Sequence, residues 1–405
     1  MTNSDLQAGS KSYDIVLFST ADWDYPIWTN KQHVAQELAR LGHRVLYIDS
    51  LGLRKPSTNK RDLRRIKSRL TKSINAPRQV KKNLWVWSPL IIPLNHLKLF
   101  RYLNHILLNF GLMVWCNLLR LRRFILWTYN PLTLEFFDAK KFSYIIYHCV
   151  DEIKEQPGMP VKLLEESEEK LCRNADLIFT TSLALQETRQ AWNANTFYFP
   201  NVADFSHFSS ALEEDTLIPE DIAKIPKPRI GFVGAINSYK LNLNLLKEIA
   251  MQRPQWSIVL IGQVGEGEPW ASDYGLEDIQ NIYVLGSKPY VSLPGYLKGI
   301  DVAILPNQVN AYTNAMFPMK FFEYLAAGKP IVSVDLRSIY EFSDYVDLVK
   351  TKDDFLNAIE KNLLGLRKVP VYRQMNLAKQ YTYHNRTQSM IKVFQSVCLE
   401  DLAQL

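Results

Sequence analysis

FPMKFFEYLAAGKPIVSVD, residues 317–335, is the stretch whose reading decides the fold. Proline has no N–H to lose at the first helical position, so Pro318 is expected to start a helix. Gly328 follows the last strong helix former and supplies the left-handed residue that ends it. Pro330 then opens the β-branched run IVSV, a strand. Helix, cap and strand in succession make one unit of an α/β sheet. Within it, Lys320 and Glu323 stand three apart, on one face of the first turn. A helix start presents free N–H groups and the positive end of the dipole, so an anion is favoured there beside Lys320, with Glu323 placed to take a neutral hydroxyl. Phosphates at the helix start and ribose hydroxyls one turn later describe a nucleoside diphosphate. The other reading, a solvated charge pair on a surface helix, stays open until the surroundings are read.

Working outward, the second half alternates apolar runs with helical stretches: RIGFVG, a helix near 241–252, SIVLIG, NIYVLG, DVAILP, the quoted helix, PIVSVD and DLVK. The first half does the same through DIVLFST, a helix over 29–41, RVLYIDS, RFILWTY, YIIYHCV, DLIFTTS and TFYFP. Near-continuous apolar strands belong to parallel sheets covered on both faces. Between the halves, DFSHFSSALEEDTLIPEDIAKIPKP (204–228) lacks a β run and reads as a linker. The expected class is α/β, with two doubly wound, Rossmann-like domains facing a central cleft. Residues 1–205 form the first domain, 206–227 the linker and 228–380 the second domain. Beyond 352 only helical sequence remains, and residues 381–405 are expected to cross back over the first domain. Ligands of such sheets lie at the carboxyl ends of strands.

Length and composition agree with two globular domains: 405 residues, 47% hydrophobic and 22% charged. Cys116, Cys149, Cys172 and Cys398 show no C-x-x-C spacing and suit a reducing compartment. MTNSDLQAGSKSYDI has no apolar signal core, so a cytoplasmic location is expected. The net charge of +7 is uneven, because residues 54–82 hold twelve Lys or Arg against the single Asp62. That segment suits a peripheral contact with anionic lipid head groups or with nucleic acid, or else is a solvated loop. YLNHILLNFGLMVWCNLL (102–119) is interrupted by Asn104, His105, Asn109 and Asn117, which argues for a buried or membrane-surface helix, burial favoured, over a spanning one.

The strand-end loops of the second half share a theme. GFVGAINSYK brings Gly231, Gly234 and Lys240, and GQVGEG brings Gly262, Gly265 and Gly267. Glycines let a backbone approach phosphate and lysines add charge, although glycines at strand ends are often only turns. LGSKPY adds Lys288 and Tyr290, placed to frame a flat ring.

Together, PMKFFEYLAAGKP (318–330), GFVG (231–234), PNVADFSHF (200–208), WTNKQHVAQELARLGHRV (28–45) and YHCVDE (147–152) resemble glycosyltransferases of the GT-B fold. The similarity is to bacterial exopolysaccharide and teichuronic-acid transferases, including xanthan glucuronosyltransferase and heterocyst-envelope polysaccharide enzymes. The resemblance implies that Met319 and Lys320 contact the diphosphate of a UDP-sugar and that Glu323 binds its ribose. It implies a saccharide acceptor, lipid-linked at the inner membrane face, with glucose or glucuronate as the transferred sugar. Retaining relatives carry a second glutamate eight residues before the ribose-binding one, where this chain has Ala315. An inverting enzyme needs a general base, and Asp151 leads the candidates with His148 behind it. The bland roles are a helix N-cap for Asp151 and a satisfied core imidazole for His148. Asp22 and Asp24 form too small a set for a metal, and none is expected, since lysines and a helix start can neutralise the leaving diphosphate. Trp23, Tyr25 and Trp28 are candidates for stacking on the acceptor or for packing. The sequon at 385–387 has no meaning in a cytoplasmic chain. Rival readings are an epimerase or hydrolase of the same fold, or a non-catalytic basic protein binding membrane or nucleic acid. No nucleic-acid partner is expected.

Overall fold

The computed structural model describes residues 12–25, 28–52, 76–92, 94–95, 97–265, 268 and 274–399. Gly267 and residues 54–75 of the basic stretch lie outside the described residues, and so do the expectations placed on them.

The first sheet contains β1 (Asp14–Phe18), β2 (Arg44–Ile48), β3 (Arg78–Lys81), β4 (Leu84–Trp87), β5 (Ile125–Thr128), β6 (Tyr144–Cys149), β7 (Leu177–Thr180) and β8 (Thr196–Tyr198). Their spatial order is β3-β4-β2-β1-β5-β6-β7-β8, parallel throughout except for the antiparallel edge pair β3–β4. Val16 faces Leu46 on one side and Leu126 on the other, so the apolar runs align in register. Alternation along the strands sends residues to two cores. Val16, Phe18, Leu46 and Leu126 join Leu108 and Leu112 of the helix Lys98–Leu118, whereas Ile15, Leu17, Val45 and Trp127 join Val34 and Leu38 of the helix Asn30–Arg40.

The second sheet contains β9 (Arg229–Val233), β10 (Ser257–Ile261), β11 (Ile282–Gly286), β12 (Val302–Leu305), β13 (Ile331–Val334) and β14 (Asp347–Val349). Its order, β11-β10-β9-β12-β13-β14, is the doubly wound arrangement in which direction reverses between β9 and β12. In the first sheet the corresponding reversal lies between β1 and β5. The final helix, Tyr383–Cys398, crosses back as expected: Met390 and Phe394 enter the first-domain core beside Ile15 and Phe179.

Four local expectations are corrected. The quoted helix runs Lys320–Ala326 with Met319 as its cap, so Pro318 precedes the helix and its carbonyl accepts from Phe321 N–H at 3.0 Å. Its end is as read, with Gly328 at φ +65° and Lys329 N–H returning to Tyr324 O at 2.9 Å. The expected linker is built into the second domain, because Phe208, Ala211, Ile222 and Ile225 are buried with Leu297, Phe321 and Tyr324. Its apolar spacing is short and broken, which hid three helical pieces: Phe205–Ser209, Ser210–Leu212 and Glu220–Ala223. The hairpin β3–β4 was not anticipated, although the short turn around Asn83 (φ 63°) separates its strands. Finally, the helix Lys98–Leu118 buries only one face.

Candidate functional site

Strand order fixes where the two domains present side chains. The reversal between β1 and β5 opens a gap above which Lys31, in the first turn of the helix after β1, stands over the Tyr129 ring, 5.8 Å from its centroid. The reversal between β9 and β12 does the same in the second domain. There Lys240, in the loop after β9, lies 5.3 Å from the ring centroids of Tyr239 and of Tyr312, which follows β12.

These two gaps meet. The Tyr312 hydroxyl donates to Asp151 Oδ1 at 3.2 Å, joining the domains, and Gln156 Nε2 reaches the same hydroxyl at 3.4 Å. Burial, and then the Asp151 charge, pushes the Tyr312 phenol above its ordinary pKa, so it acts as a neutral donor. Burial lowers the Lys31 ammonium, Asp151 opposes that by attraction, and Lys240 adds a repulsion. Asp151, Lys31, Lys240 and Tyr312 therefore form one electrostatic cluster in the cleft. Lys31 and Tyr312 escaped the sequence reading. Lys31 sat unremarked in the quoted WTNKQH stretch, and Tyr312 carried no signal because its partner is 161 residues away.

Asp151 is not a side-chain helix cap. The following short turn, Ile153–Glu155, begins at Glu152 without a side-chain cap, and the Asp151 carbonyl accepts from Ile153 N–H at 3.0 Å. The loop is held from behind by Glu152, whose carboxylate takes both terminal nitrogens of Arg189 at 2.6 and 2.8 Å. Arg189 is 2% exposed and also bonds Glu168 at 2.8 Å, while Tyr147 donates to Glu168 at 2.6 Å. His148 lies in the core of β6, stacked on Tyr129 at 4.7 Å, with Nδ1 accepting from Trp127 at 3.4 Å. Burial, with Arg386 and Lys31 adding repulsion, holds its imidazole well below the ordinary histidine range, hence neutral.

In the second domain, Lys320 and Glu323 do share a face, and they take each other: Nζ to Oε2 is 2.7 Å. Glu323 is 4% exposed, which rejects the reading of a solvated surface pair. Tyr290 sits close enough that the Glu323 charge, after burial, raises its phenol. The Tyr290 ring stacks on His207 at 4.3 Å and faces His33 at 6.1 Å, so it belongs to an aromatic joint between the domains. Lys288 is engaged by Asp221 at 2.7 Å, which Tyr296 also contacts. Gly262 has a reason independent of any ligand: a Cβ there would lie 1.7 Å from the Gly234 carbonyl oxygen. Its own N–H reaches Gly286 O at 3.0 Å, so three strand ends close on one another through glycine backbone.

A polar chain stitches the joint. Arg386 of the final helix bonds Asn30, Asn30 bonds Asn201, and Asn201 Nδ2 donates to Phe317 O at 2.7 Å. The PNV motif thus holds the segment leading to Met319 and Lys320. Ala315, in the same segment, packs into the first-domain core and its carbonyl accepts from Ser182 Oγ at 2.7 Å. Trp23 is buried between Trp28 and Tyr47, at 4.9 and 5.2 Å, and Asp24 pairs with Arg78, so this loop packs.

Comparison with solved structures decides the architecture. The sucrose-phosphate synthase of Thermosynechococcus elongatus superposes with a TM-score of 0.68 at 15% identity, over 95% of this chain and 99% of its own. The fold is GT-B. Anabaena HepE, solved in complex with UDP, shares this GT-B architecture at a TM-score of 0.58 and 12% identity, over 95% of this chain and all of its own. Residues 227–364, which include Lys240, Lys320 and Glu323 of the second domain, match the family Glycosyl transferases group 1. A Bacillus subtilis (strain 168) protein, TuaH, named as a teichuronic acid biosynthesis glycosyltransferase, is 33% identical over 161 residues. That match spans 37% of this chain and 38% of the relative's length.

Proposed function

We propose that the chain transfers a sugar, glucose or glucuronate, from a UDP-sugar to a lipid-linked saccharide acceptor in exopolysaccharide synthesis, working at the inner face of the cytoplasmic membrane. The supporting observation is the meeting of Asp151 and Lys31 with Tyr312 and Lys240 where both sheets reverse, the position at which such sheets hold ligands. The group 1 match covers the donor residues, and a structural neighbour is named as a UDP complex.

In this reading the diphosphate lies beside Lys320. Its negative charge competes for the ammonium now bonded to Glu323, leaving that carboxylate to accept a ribose hydroxyl. Lys240 offsets charge developing on the leaving diphosphate, so the reading invokes no metal. Asp151 accepts the proton of the acceptor hydroxyl as that oxygen attacks the anomeric carbon, and the Tyr312 hydroxyl orients the carboxylate. His148, buried and neutral behind Tyr129, is assigned no proton transfer. Closure of the domains keeps water from the donor.

The test is a panel of UDP-sugars incubated with saccharide acceptors, following UDP release and the anomeric configuration of the product. Release that requires acceptor is expected. Conversion of donor without acceptor, or no release with any pair, would overturn the assignment.

A further inference from the structure

The helix Lys98–Leu118 is inverted relative to an ordinary surface helix. Its inward face carries Arg101, Asn104 and Asn109 among Leu108, Leu112 and Cys116. Those polar groups are spent on anchoring: Asn104 donates to Ile92 O and Asn95 Oδ1, both at 2.8 Å, Asn109 donates to Phe136 O at 2.9 Å, and Arg101 donates to Asn95 O at 2.9 Å. Every exposed position from Leu99 to Met113 is apolar: Leu99, Tyr102, Leu103, Ile106, Leu107, Phe110 and Met113, from 37% exposed at Leu103 to 65% at Leu99. Their spacing of three and four residues places them on one continuous face. Isolated exposed apolar side chains are ordinary, whereas a contiguous face of seven marks a contact surface.

The charge around this face selects its partner. Along the sequence, residues 51–135 hold seventeen Lys or Arg against two acids, Asp62 and Glu135, the latter paired with the buried Arg101 at 3.2 Å. Exposed Lys98 opens the helix, and exposed Arg120, Arg122 and Arg123 follow its end. Asn95, which Asn104 and Arg101 bind, also donates to Leu51 O and Gly52 O, so the basic stretch begins from a point tied to this helix. A second copy docked by a two-fold contact would bring two strongly cationic fields together. A bilayer containing anionic lipid is attracted by the same field and accepts the apolar side chains below its headgroups. Among the described residues no helix is long and apolar enough to cross a membrane, in keeping with a helix that lies in the surface.

We infer that the outer face of Lys98–Leu118 seats the first domain in an anionic bilayer, with Leu103, Ile106, Leu107 and Phe110 entering the acyl boundary and the flanking arginines and lysines meeting the headgroups. This deepens the lipid-linked reading of the acceptor. Vesicle binding needs no nucleotide and UDP titration needs no vesicle, so either can fail without the other.

The experiment is flotation of the full chain with vesicles of phosphatidylcholine alone or mixed with phosphatidylglycerol, comparing wild type with Ile106→Asp/Phe110→Asp. Wild type is expected to float with the mixed vesicles and only weakly with phosphatidylcholine, and the double variant to bind at least ~tenfold more weakly, since its apolar face is broken. Should that variant melt early, Leu103→Ser/Phe110→Ser gives the same reading. Wild type that ignores mixed vesicles, or variants that bind them equally, would overturn the inference. So would a wild-type dimer that the substitutions dissociate without any vesicle binding.

Discussion

The two domains share a winding order but place their functional charges differently. In the second, Lys320 and Glu323 meet within one turn of helix. In the first, Asp151 finds its partner, Tyr312, across the cleft. The local pair survives any movement of the domains, whereas the Asp151 contact exists only while they are together. On the proposed reading, the difference teaches that donor recognition is built into one domain and proton transfer into their closure.

The sharpest way to break that division is Asp151→Asn, which keeps the shape and removes the proposed base. Transfer is expected to fall by roughly 100- to 10,000-fold in kcat, with UDP affinity unchanged. A retained rate would remove the base assignment. Next in size is Arg189→Met, which strands Glu152 and Glu168 in the core behind Asp151. A destabilisation of about 3–5 kcal/mol in chemical denaturation is expected for a broken buried ion cluster, and unchanged stability would show that the loop is held by other contacts.

Burial holds His33 and His43 at about 4, below their ordinary 6.5, with Asp204 partly opposing the shift at His33. The folded chain therefore binds fewer protons than the unfolded one between those values. Stability is full above about pH 6.5 and falls as pH drops toward about 4, at most about 3 kcal/mol for each imidazole. A melting temperature flat across that window would contradict the buried neutral state. Because His33 stacks on Tyr383 at 4.1 Å in the domain joint, His33→Phe is expected to flatten part of this dependence. The smallest effect belongs to Tyr312→Phe, which removes one hydrogen bond to Asp151. About 0.5–1.5 kcal/mol is expected, seen as a modest drop in kcat with KM for donor unchanged. A change in donor KM alone would move Tyr312 to the donor side.

How much of this was legible in sequence follows from how local each feature is. The central strands, such as β1, β9, β10 and β12, announced themselves because they bury both faces, and Gly328 announced the helix end through its left-handed backbone. Lys320 and Glu323 were legible because three residues along a helix is a short-range fact. The start of their helix was misread by two residues, since Pro318 serves as the preceding acceptor and Met319 as the cap. Tyr312, Lys31 and the Arg386–Asn30–Asn201 chain were invisible because their partners come from distant segments. Gly262 was read toward phosphate, yet the Gly234 carbonyl already demands glycine there. The helix Lys98–Leu118 was judged mainly buried because apolar composition does not reveal which face is turned outward. Asn104 and Asn109, which interrupt its apolar run, are its anchors, whereas Asn117 is exposed.

The most direct measurement is calorimetric titration of UDP into wild type, Asp151→Asn and the double variant Lys320→Ala/Glu323→Ala. The account expects equal affinity for the first two and a loss of about tenfold or more for the third, the scale of a lost charge-assisted contact. Equal binding by all three, or weakened binding confined to Asp151→Asn, would contradict it.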